Sequence, residues 1–325
     1  MKTIAAFQAS FAAYLKENRF DKEPVNLYEP VNYIMDLGGK RIRPVLVLLA
    51  HSLFKDDHAP ALPAALAVEI FHNFSLVHDD IMDEAPVRRG KATIHQKFGL
   101  PAGILSGDVM LIYAYQFLAR SKPETVIPDL MKVFNEIAIE VCEGQQMDMD
   151  FEQDRDCNLS LYLQMIEGKT AALIGGSLEL GAIVAEAPES DLFHLRSFGR
   201  KLGVAFQLQD DFLDTYGDPE KFGKKPGGDI LRNKKTFLVL KARELANAKQ
   251  LAVLDHWMNG TIHDESAKIK AIMEVFEELQ IREKTREAMI RFHTESMEHL
   301  GSIAVDSDRK NGLVELSELL FDRDF

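Results

Sequence analysis

Cysteine is scarce in this chain, which excludes a fold held together by disulfides. The 325 residues include only Cys142 and Cys157, and two cysteines cannot build a disulfide framework. The N-terminus also lacks a signal-peptide pattern, because Gln8 and Ser10 interrupt its apolar residues. We therefore expect a cytoplasmic protein in a reducing compartment.

Basic residues are in the minority, which argues against two classes of partner. The chain has 38 Lys and Arg against 51 Asp and Glu, giving a formal net charge of −13. Nucleic-acid binding needs a basic surface, as does docking on anionic membranes, so we expect neither. The apolar segments 100–119 and 170–187 contain Asp108 and Glu179 near their middles. A charge there is costly in lipid, so we predict buried core helices and no membrane span.

Strand patterns are also rare, since alternating apolar and polar runs are few and no hairpin dipeptide separates two of them. Helical periodicity dominates instead. We predict an all-α protein with one domain over residues 1–325, folded as a single large helical bundle. The predicted helices cover about 2–17, 26–36, 41–54, 60–83, 101–120, 124–150, 160–187, 189–216, 234–257, 264–299 and 310–322.

The common nucleotide-binding motifs are missing from the sequence. There is no GxxxxGK[ST] loop, no kinase loop set, and no GxGxxG after a strand. No Ser/His/Asp or Cys/His arrangement for nucleophilic catalysis is evident either. The chemistry therefore has to come from other residues.

An aspartate pattern occurs twice, and it is the strongest chemical signal in the chain. Each copy ends a long apolar helical segment, and positions four apart share one helix face. Stacked carboxylates against apolar neighbours are unfavourable without a cation, and helix C-termini repel anions. Oxygen ligands without sulfur or imidazole suit a hard cation, and Mg²⁺ fits best. The carboxylates concerned are Asp79, Asp80, Asp83, Asp210, Asp211 and Asp214.

Cations cluster at the breaks between predicted helices, next to these aspartates and to glycine turns. Any one of them is more often a solvated surface residue, but arginine forks and lysine ammonium groups are also the usual phosphate ligands. Together with Mg²⁺ they indicate a polyphosphate substrate, and the apolar helices below indicate an oily pocket. The set comprises Lys40, Arg43, Arg88, Arg89, Lys169, Lys224 and Lys234.

These motifs resemble those of the trans-isoprenyl diphosphate synthases of the polyprenyl synthetase family, in particular the short-chain type. The resemblance covers nearly the whole chain, and its pieces are GGKRIRP (38–44), FHNFSLVHDDIMDEAPVRRG (71–90), GQQMD (144–148), GKT (168–170), FQLQDDFLD (206–214) and GKKPGGD (223–229). It implies an all-α bundle around a deep cavity, a homodimer, and Mg²⁺, with three ions around the bound diphosphate.

The implied reaction joins isopentenyl diphosphate head-to-tail to an allylic diphosphate and releases diphosphate. The resemblance assigns the metal to the six aspartates of the two motifs. It assigns the allylic diphosphate to Arg88, Lys169, Thr170, Gln207, Lys224 and Lys234. It assigns isopentenyl diphosphate to Lys40, Arg43, His72 and Arg89. Asp79, Asp83, Arg88, Lys169 and Asp210 are implied to be catalytic, with Asp148 near the reacting centre.

Product length is implied by bulky residues before the first aspartate motif. Phe74 lies five positions and Phe71 eight positions before Asp79, which resembles synthases that make C15 or C20 products. On a helical wheel Phe74 lies away from the stripe of Asp79, so a plain core aromatic is an equal interpretation from the residues alone.

Three other functions share part of this pattern. A terpene cyclase also ionises an allylic diphosphate, but its second metal motif is usually of an Asn/Ser/Glu type and it needs no isopentenyl site. A regulatory subunit of a heteromeric synthase often lacks one aspartate motif, whereas both are intact here. An acidic helical scaffold protein would leave the paired motifs without a role.

Overall fold

The computed structural model of the protein describes residues 3–153, 157–218, 227–259 and 264–321. Within these ranges the chain is almost entirely helical, which confirms the all-α prediction. The α-helices are α1 Ile4–Glu17, α2 Val25–Asp36, α3 Ile42–Ser52, α4 Leu62–Met82, α5 Ile94–Phe98, α6 Leu100–Leu118, α7 Ile127–Gln153, α8 Leu159–Ile166, α9 Ala172–Val184, α10 Glu189–Tyr216, α11 Gly228–Leu231, α12 Phe237–Leu245, α13 Ala248–Asn259, α14 Glu265–Glu278, α15 Ile281–Ser302 and α16 Ser307–Phe321.

Three shorter helical turns complete the order. Two are 3₁₀ turns, Ala59–Ala61 and Glu124–Val126, and a π-helical turn, Glu167–Ala171, joins α8 to α9. Strands β1 (Val87–Arg88) and β2 (Lys91–Ala92) pair antiparallel. Arg89 and Gly90 connect them, and both have positive φ, as a type I′ hairpin requires. This hairpin was not predicted.

Two predicted helices are each divided in the structure. The segment predicted as 234–257 forms α12 and α13, and Asn247 begins the second helix by accepting hydrogen bonds from the backbone N–H groups of Lys249 and Gln250. The segment predicted as 264–299 forms α14 and α15, and Gln280 between them has a φ of 55°. A residue in the left-handed region ends a helix.

The described chain forms two compact units. The first comprises Met1–Ile139, Leu173–Gly199 and His299–Glu318, and the second comprises Glu140–Ala172, Arg200–Glu298 and Leu319–Phe325. The single domain over residues 1–325 stays a prediction.

Helix α4 is the centre of the first unit. Its residues from Ala64 to Phe71 are all buried, and α6 packs along it. The stretch Ala59–Met82 is long and apolar enough to cross a membrane by length and composition, but 61% of its most apolar window is buried in the structure. That burial is what a core helix of a globular unit shows.

The second unit has two apolar clusters. One contains Phe212 of α10 with Phe237 of α12 and Met289 of α15. The other packs Ile230 of α11 against Ile272 and Phe276 of α14. Helix α10 carries the second aspartate motif on top of the first cluster, so the packing of α10 fixes where these carboxylates lie.

Candidate active site

The first aspartate motif lies at the C-terminal end of α4. Asp79 is half-buried and Asp83 is exposed. The two residues are one turn apart, because the backbone N–H of Asp83 donates to the carbonyl of Asp79 at 2.9 Å. The predicted stacking of these carboxylates on one face follows from that turn. Asp79 also pairs with Arg88, whose Nη2 lies 3.4 Å from its Oδ2.

Asp80, between them, is in a different environment. Its side chain is only 2% exposed, and Arg88 Nε donates to both carboxylate oxygens at 2.8 Å. Burial disfavours the charged guanidinium, but the hydrogen bonds and charge of Asp80 outweigh it and raise the pKa of Arg88. Asp80 therefore holds Arg88 beside Asp79 rather than pointing to solvent.

The β1–β2 hairpin directs its two neighbouring arginines to different partners. Arg88 is on β1 and faces the aspartates, whereas Arg89 is in the turn and donates from Nη1 to the carbonyl of Gly38. Gly39 has a φ of 124°, and a Cβ on it would lie 3.0 Å from the Arg89 guanidinium. The Gly38–Gly39 pair thus provides both the backbone conformation and the space that Arg89 needs.

A group of cations collects near the start of α3. Arg43 Nη1 lies 3.2 Å from His72 Nε2, and Arg89 lies near both. Burial, despite the opposing charge of Glu69, lowers the pKa of Arg43 to about 10, and Arg89 adds to the effect. Burial and the neighbouring arginines hold the pKa of His72 well below its ordinary value. This concentration of donors suits an anion. Lys40, in the preceding turn, is exposed.

A buried brace supports this group, and sequence reasoning did not find it. Arg41 begins α3 with a φ of 50°. Its guanidinium donates to Glu69 Oε1 and to the carbonyl of Met35. Glu69 is buried on α4 and also accepts from Asn73 Nδ2 at 3.0 Å. The charge and helical spacing of Glu69 and Asn73 were visible, but not their pairing with a turn some thirty residues earlier.

The second aspartate motif lies in α10. Asp210 is half-buried, whereas Asp211 is buried and hydrogen-bonded. Tyr162 donates its hydroxyl to Asp211 Oδ2 at 2.5 Å, and Gln207 Nε2 donates to Oδ1 at 3.1 Å. Burial raises the pKa of Asp211 to about 7, although these hydrogen bonds oppose the shift. Tyr162 is another residue that sequence reasoning missed.

The third carboxylate of this motif, Asp214, organises the turn that follows α10. Its Oδ2 accepts from the backbone N–H of Asp229 at 2.7 Å, and its carbonyl accepts from the N–H of Gly227 at 2.6 Å. The predicted ligand Lys234 is exposed at the end of this turn. Lys224 lies outside the described residues.

The π-helical turn presents two predicted substrate contacts. Lys169 Nζ donates to Asp148 Oδ2 at 2.5 Å, and Thr170 Oγ1 donates to Gln207 Oε1 at 3.2 Å. The turn lies directly against Gly144 of α7, where a Cβ would come within 2.2 Å of the Lys169 backbone nitrogen. The glycine of the GQQMD motif therefore makes room for the Lys169 turn, and π turns recur at functional sites.

The two predicted length-determining aromatics are neighbours along α4, with their rings tilted by 48°. The Phe71 and Phe74 rings lie 5.6 Å apart between centroids, and Phe74 meets His78 edge-on at 4.9 Å. Phe71 is buried, whereas Phe74 is only partly buried. On α6, a Cβ on Gly107 would lie 2.2 Å from His78 Nε2.

The carboxylates of the two motifs suit Mg²⁺ only together with other ligands. Among the described residues, no group of three or more His, Cys, Asp or Glu side chains is arranged to hold a metal alone. Mg²⁺ is usually bound by one or two carboxylates, with waters and substrate phosphates completing its shell. The less buried Asp79 and Asp83, one turn apart, fit such a site, as does Asp210.

Comparison with known proteins agrees with the motifs. The polyprenyl synthetase family model matches residues 24–276, which is most of the chain. The chain belongs to this family. It is 38% identical over 308 residues to the geranylgeranyl pyrophosphate synthase of Geoglobus acetivorans, covering 94% of this chain and 93% of that one.

Two further similarities extend this result. A short chain isoprenyl diphosphate synthase of Methanocaldococcus jannaschii is 41% identical over 243 residues, which cover 74% of each chain. A crystal structure of a geranylgeranyl pyrophosphate synthase superimposes with a TM-score of 0.94 at 41% identity, covering 100% of both chains. The resemblance to the trans-isoprenyl diphosphate synthases and the helical fold it implied are confirmed.

Proposed function

We propose that the protein is a magnesium-dependent trans-prenyltransferase that joins isopentenyl diphosphate to an allylic diphosphate and makes a short-chain C15 or C20 prenyl diphosphate. The observation that carries this proposal is the group of hydrogen-bond donors formed by Arg43, Arg89 and the imidazole of His72, in the same unit as the first aspartate motif. Cations held this close together favour a multivalent anion. The relatives named as geranylgeranyl synthases support the C20 product.

Two kinds of diphosphate contact are assigned. Lys40, Arg43, His72 and Arg89 bind isopentenyl diphosphate, and Gly38–Gly39 set the position of Arg89. Arg88, Lys169, Thr170, Gln207, Lys224 and Lys234 bind the allylic diphosphate. The metal ligands proposed are Asp79, Asp83 and Asp210. Bound Mg²⁺ supplies neutralisation of the charge that develops on the departing diphosphate.

The remaining motif carboxylates are proposed to act through their neighbours. Asp80 and Asp211 were expected to bind metal, but Arg88 takes the oxygens of Asp80, and Tyr162 and Gln207 take those of Asp211. Asp214 similarly accepts from the turn at Asp229. We assign these three residues to positioning the arginine, the glutamine and the turn.

The chain's own groups act on each step of the reaction. Arg88 and Lys169 hold the allylic diphosphate while its C–O bond breaks, and the bonding electrons leave with the diphosphate oxygen. The C3–C4 double bond of isopentenyl diphosphate, held by Arg43 and Arg89, then attacks the allylic carbon. The attack leaves a positive charge on C3 of the isopentenyl unit, and a proton from C2 then passes to the released diphosphate, so that the C–H electrons form the new double bond of the product. Apolar surroundings keep out water that would quench the cation.

A homodimer is proposed as well. Helix α6 exposes four large apolar side chains, Leu100, Ile104, Leu105 and Ile112, on either side of the exposed Asp108, and Ile112 is 66% exposed. Several large apolar side chains exposed along one helix are typical of a surface that contacts another protein. We propose that it packs against a second copy of the chain, in the cytoplasm.

Activity is tested by incorporation of labelled isopentenyl diphosphate with dimethylallyl, geranyl or farnesyl diphosphate, with and without Mg²⁺. We expect incorporation that needs the metal and that falls at least 100-fold in Asp79→Asn, because a neutral amide is a poor Mg²⁺ ligand. Asp255→Asn, on the exposed face of α13, is the control. Absence of incorporation with all three primers would refute the synthase.

Product length is tested on Phe74. Phe74→Ala removes a partly buried ring next to His78 and should lengthen the main product by at least one C5 unit, as resolved by chromatography of the dephosphorylated products. Phe193→Ala, which removes an exposed ring elsewhere in the same unit, should leave the product unchanged. An unchanged product in Phe74→Ala would show that Phe74 is a core aromatic only.

A further inference from the structure

We propose that Lys268 is a positioning residue for the turn of residues 227–235, and through it for the diphosphate contact of Lys234. Lys268 lies on α14 and belongs to none of the motifs that identify the family. The inference rests on the proposed function, since it concerns how Lys234 is held for its substrate.

Lys268 is unusual because it is a buried lysine with uncharged partners. It is 4% exposed, and its Nζ donates to the carbonyl of Leu231 at 3.3 Å and to Asn233 Oδ1. Burial lowers its pKa. Removing an ammonium group from water is costly, and lysine is rarely buried without an anionic partner. The two hydrogen bonds to the turn account for a cation at this position, where an apolar side chain would be cheaper to bury.

The backbone of the turn is left-handed at both ends, and at the second end a residue with a side chain has to adopt this conformation. Gly227 has a φ of 88° and Asn233 a φ of 58°. The left-handed conformation is costly for a residue with a side chain, and Asn tolerates it best when its side chain is hydrogen-bonded. Lys268 makes that bond, and Lys234 is the next residue in the chain.

Other contacts hold the first half of the turn. Asp214 binds the backbone of Gly227 and Asp229, Ile269 of α14 lies against Gly227, and Ile230 is buried in the apolar cluster of α14. In the second half, the N–H of Lys234 donates to the carbonyl of Asp229 at 2.9 Å. Lys268 adds the side-chain contact nearest to Lys234, so it controls the direction in which Lys234 leaves the turn.

The test compares Lys268→Met with Lys270→Met, a control on the same helix whose side chain is 79% exposed. In the full-length enzyme, Lys268→Met should raise the KM for the allylic diphosphate about tenfold, because small misplacements of a substrate contact are costly. The KM for isopentenyl diphosphate should stay within twofold of the wild-type value. Lys270→Met should change neither constant.

A second variant separates positioning from folding. Asn233→Gly keeps a backbone that accepts positive φ but removes the acceptor for Lys268, and it should reproduce the increase in allylic KM with the helical circular dichroism of the wild type. Lys234→Ala should raise the KM for the allylic diphosphate by a smaller factor in the Lys268→Met background than in the wild type, since the two residues act as one unit.

The outcomes distinguish this inference from the proposed function. A wild-type enzyme that incorporates no isopentenyl diphosphate refutes the function itself. An active wild type whose allylic KM is unchanged in both Lys268→Met and Asn233→Gly overturns the role of Lys268. The role of Lys268 would also be overturned if the effects of Lys234→Ala and Lys268→Met on the allylic KM were fully additive in free energy.

Discussion

At the scale of single residues, the absence of a side chain is as informative as a charged group. Gly39 has a backbone conformation that other residues rarely adopt, and a Cβ on it would lie only 3.0 Å from the guanidinium of Arg89. The missing side chain of Gly39 therefore leaves the room in which the Arg89 guanidinium lies. The same reasoning applies to Gly144 and the Lys169 turn.

This gives a prediction for Gly39→Ala. The added methyl group strains the backbone and pushes Arg89 away, so we expect the KM for isopentenyl diphosphate to rise about tenfold, equivalent to about 1.4 kcal/mol of binding. The allylic KM should change much less. Gly301→Ala, at an exposed helical glycine with no atom within 4 Å of the added Cβ, is the matched control. Equal isopentenyl KM values for the two variants would contradict the role of Gly39.

The residue roles could be predicted only where they depend on local spacing. The placement of Asp79 and Asp83 follows from the helical repeat, and the two residues do lie one turn apart. The different environments of Asp80 and Asp211 could not be predicted, because they depend on Arg88 in a hairpin and on Tyr162 forty-nine positions away. Long-range pairing of this kind leaves no periodic signal in the chain.

At the scale of elements, the packing of α4 on α6 fixes the end of α4 that carries the first aspartate motif. His78 precedes Asp79, donates from Nε2 to the carbonyl of Ile104 at 3.3 Å, and lies directly over Gly107. Its ring also meets Phe74 edge-on. One contact between two helices thus links the proposed length-determining residue with the metal motif.

We predict that Gly107→Ala displaces His78 and changes the stability of the fold and the product length together. The overlap of the new Cβ with the imidazole should destabilise the fold by about 1–3 kcal/mol, as overpacking does, which thermal or denaturant unfolding will measure. Product distribution should shift because Phe74 loses its neighbour. Gly301→Ala again serves as control. A destabilised variant that keeps the wild-type products would show that the contact between His78 and Gly107 does not influence product length.

Helix boundaries show the limit of periodicity. The apolar repeat runs through Asn247 and Gln280, so single long helices were predicted there, whereas the backbone turns at both positions. The hairpin was missed because its residues, VRRGKA, lack apolar alternation and the turn begins with arginine. Its conformation depends on contacts with Asp80 and Gly38 that lie elsewhere in the sequence.

At the scale of the whole molecule, one buried histidine predicts how stability depends on pH. His51 is buried on α3, and burial together with the charge of His58 lowers its pKa to about 4. Between pH 6.5 and about 4 the unfolded chain binds a proton that the folded chain does not, so stability falls as the pH falls through this window. Protonation at this site lowers the free energy of unfolding by about 3 kcal/mol across the window.

Replacing His51 by leucine removes that proton-binding site. We expect the melting temperature of His51→Leu to fall less steeply than that of the wild type between pH 6.5 and 4. His256→Leu, at an exposed position on α13, should keep the wild-type slope. If the melting temperatures of His51→Leu and the wild type fell with the same slope as the pH is lowered, other groups would govern the acid transition.

Net charge was a poor guide to the ligand at this scale. The total of −13 disfavours nucleic acid, but it says nothing about a diphosphate, which the local cations at Arg43, Arg88 and Arg89 are proposed to bind. The distribution of charge over helix ends and turns, rather than its sum, carried the functional information.

The two-residue turn of the hairpin has a consequence for insertions and deletions. Arg88 and Arg89 are adjacent, yet one faces the aspartates of α4 and the other the glycine pair before α3. A single-residue insertion in this turn changes the spacing to both partners at once. The length of the segment VRRG therefore sets the positions of Arg88 and Arg89 at the same time. We expect that variants with an inserted or deleted residue in this segment lose binding of both substrates together.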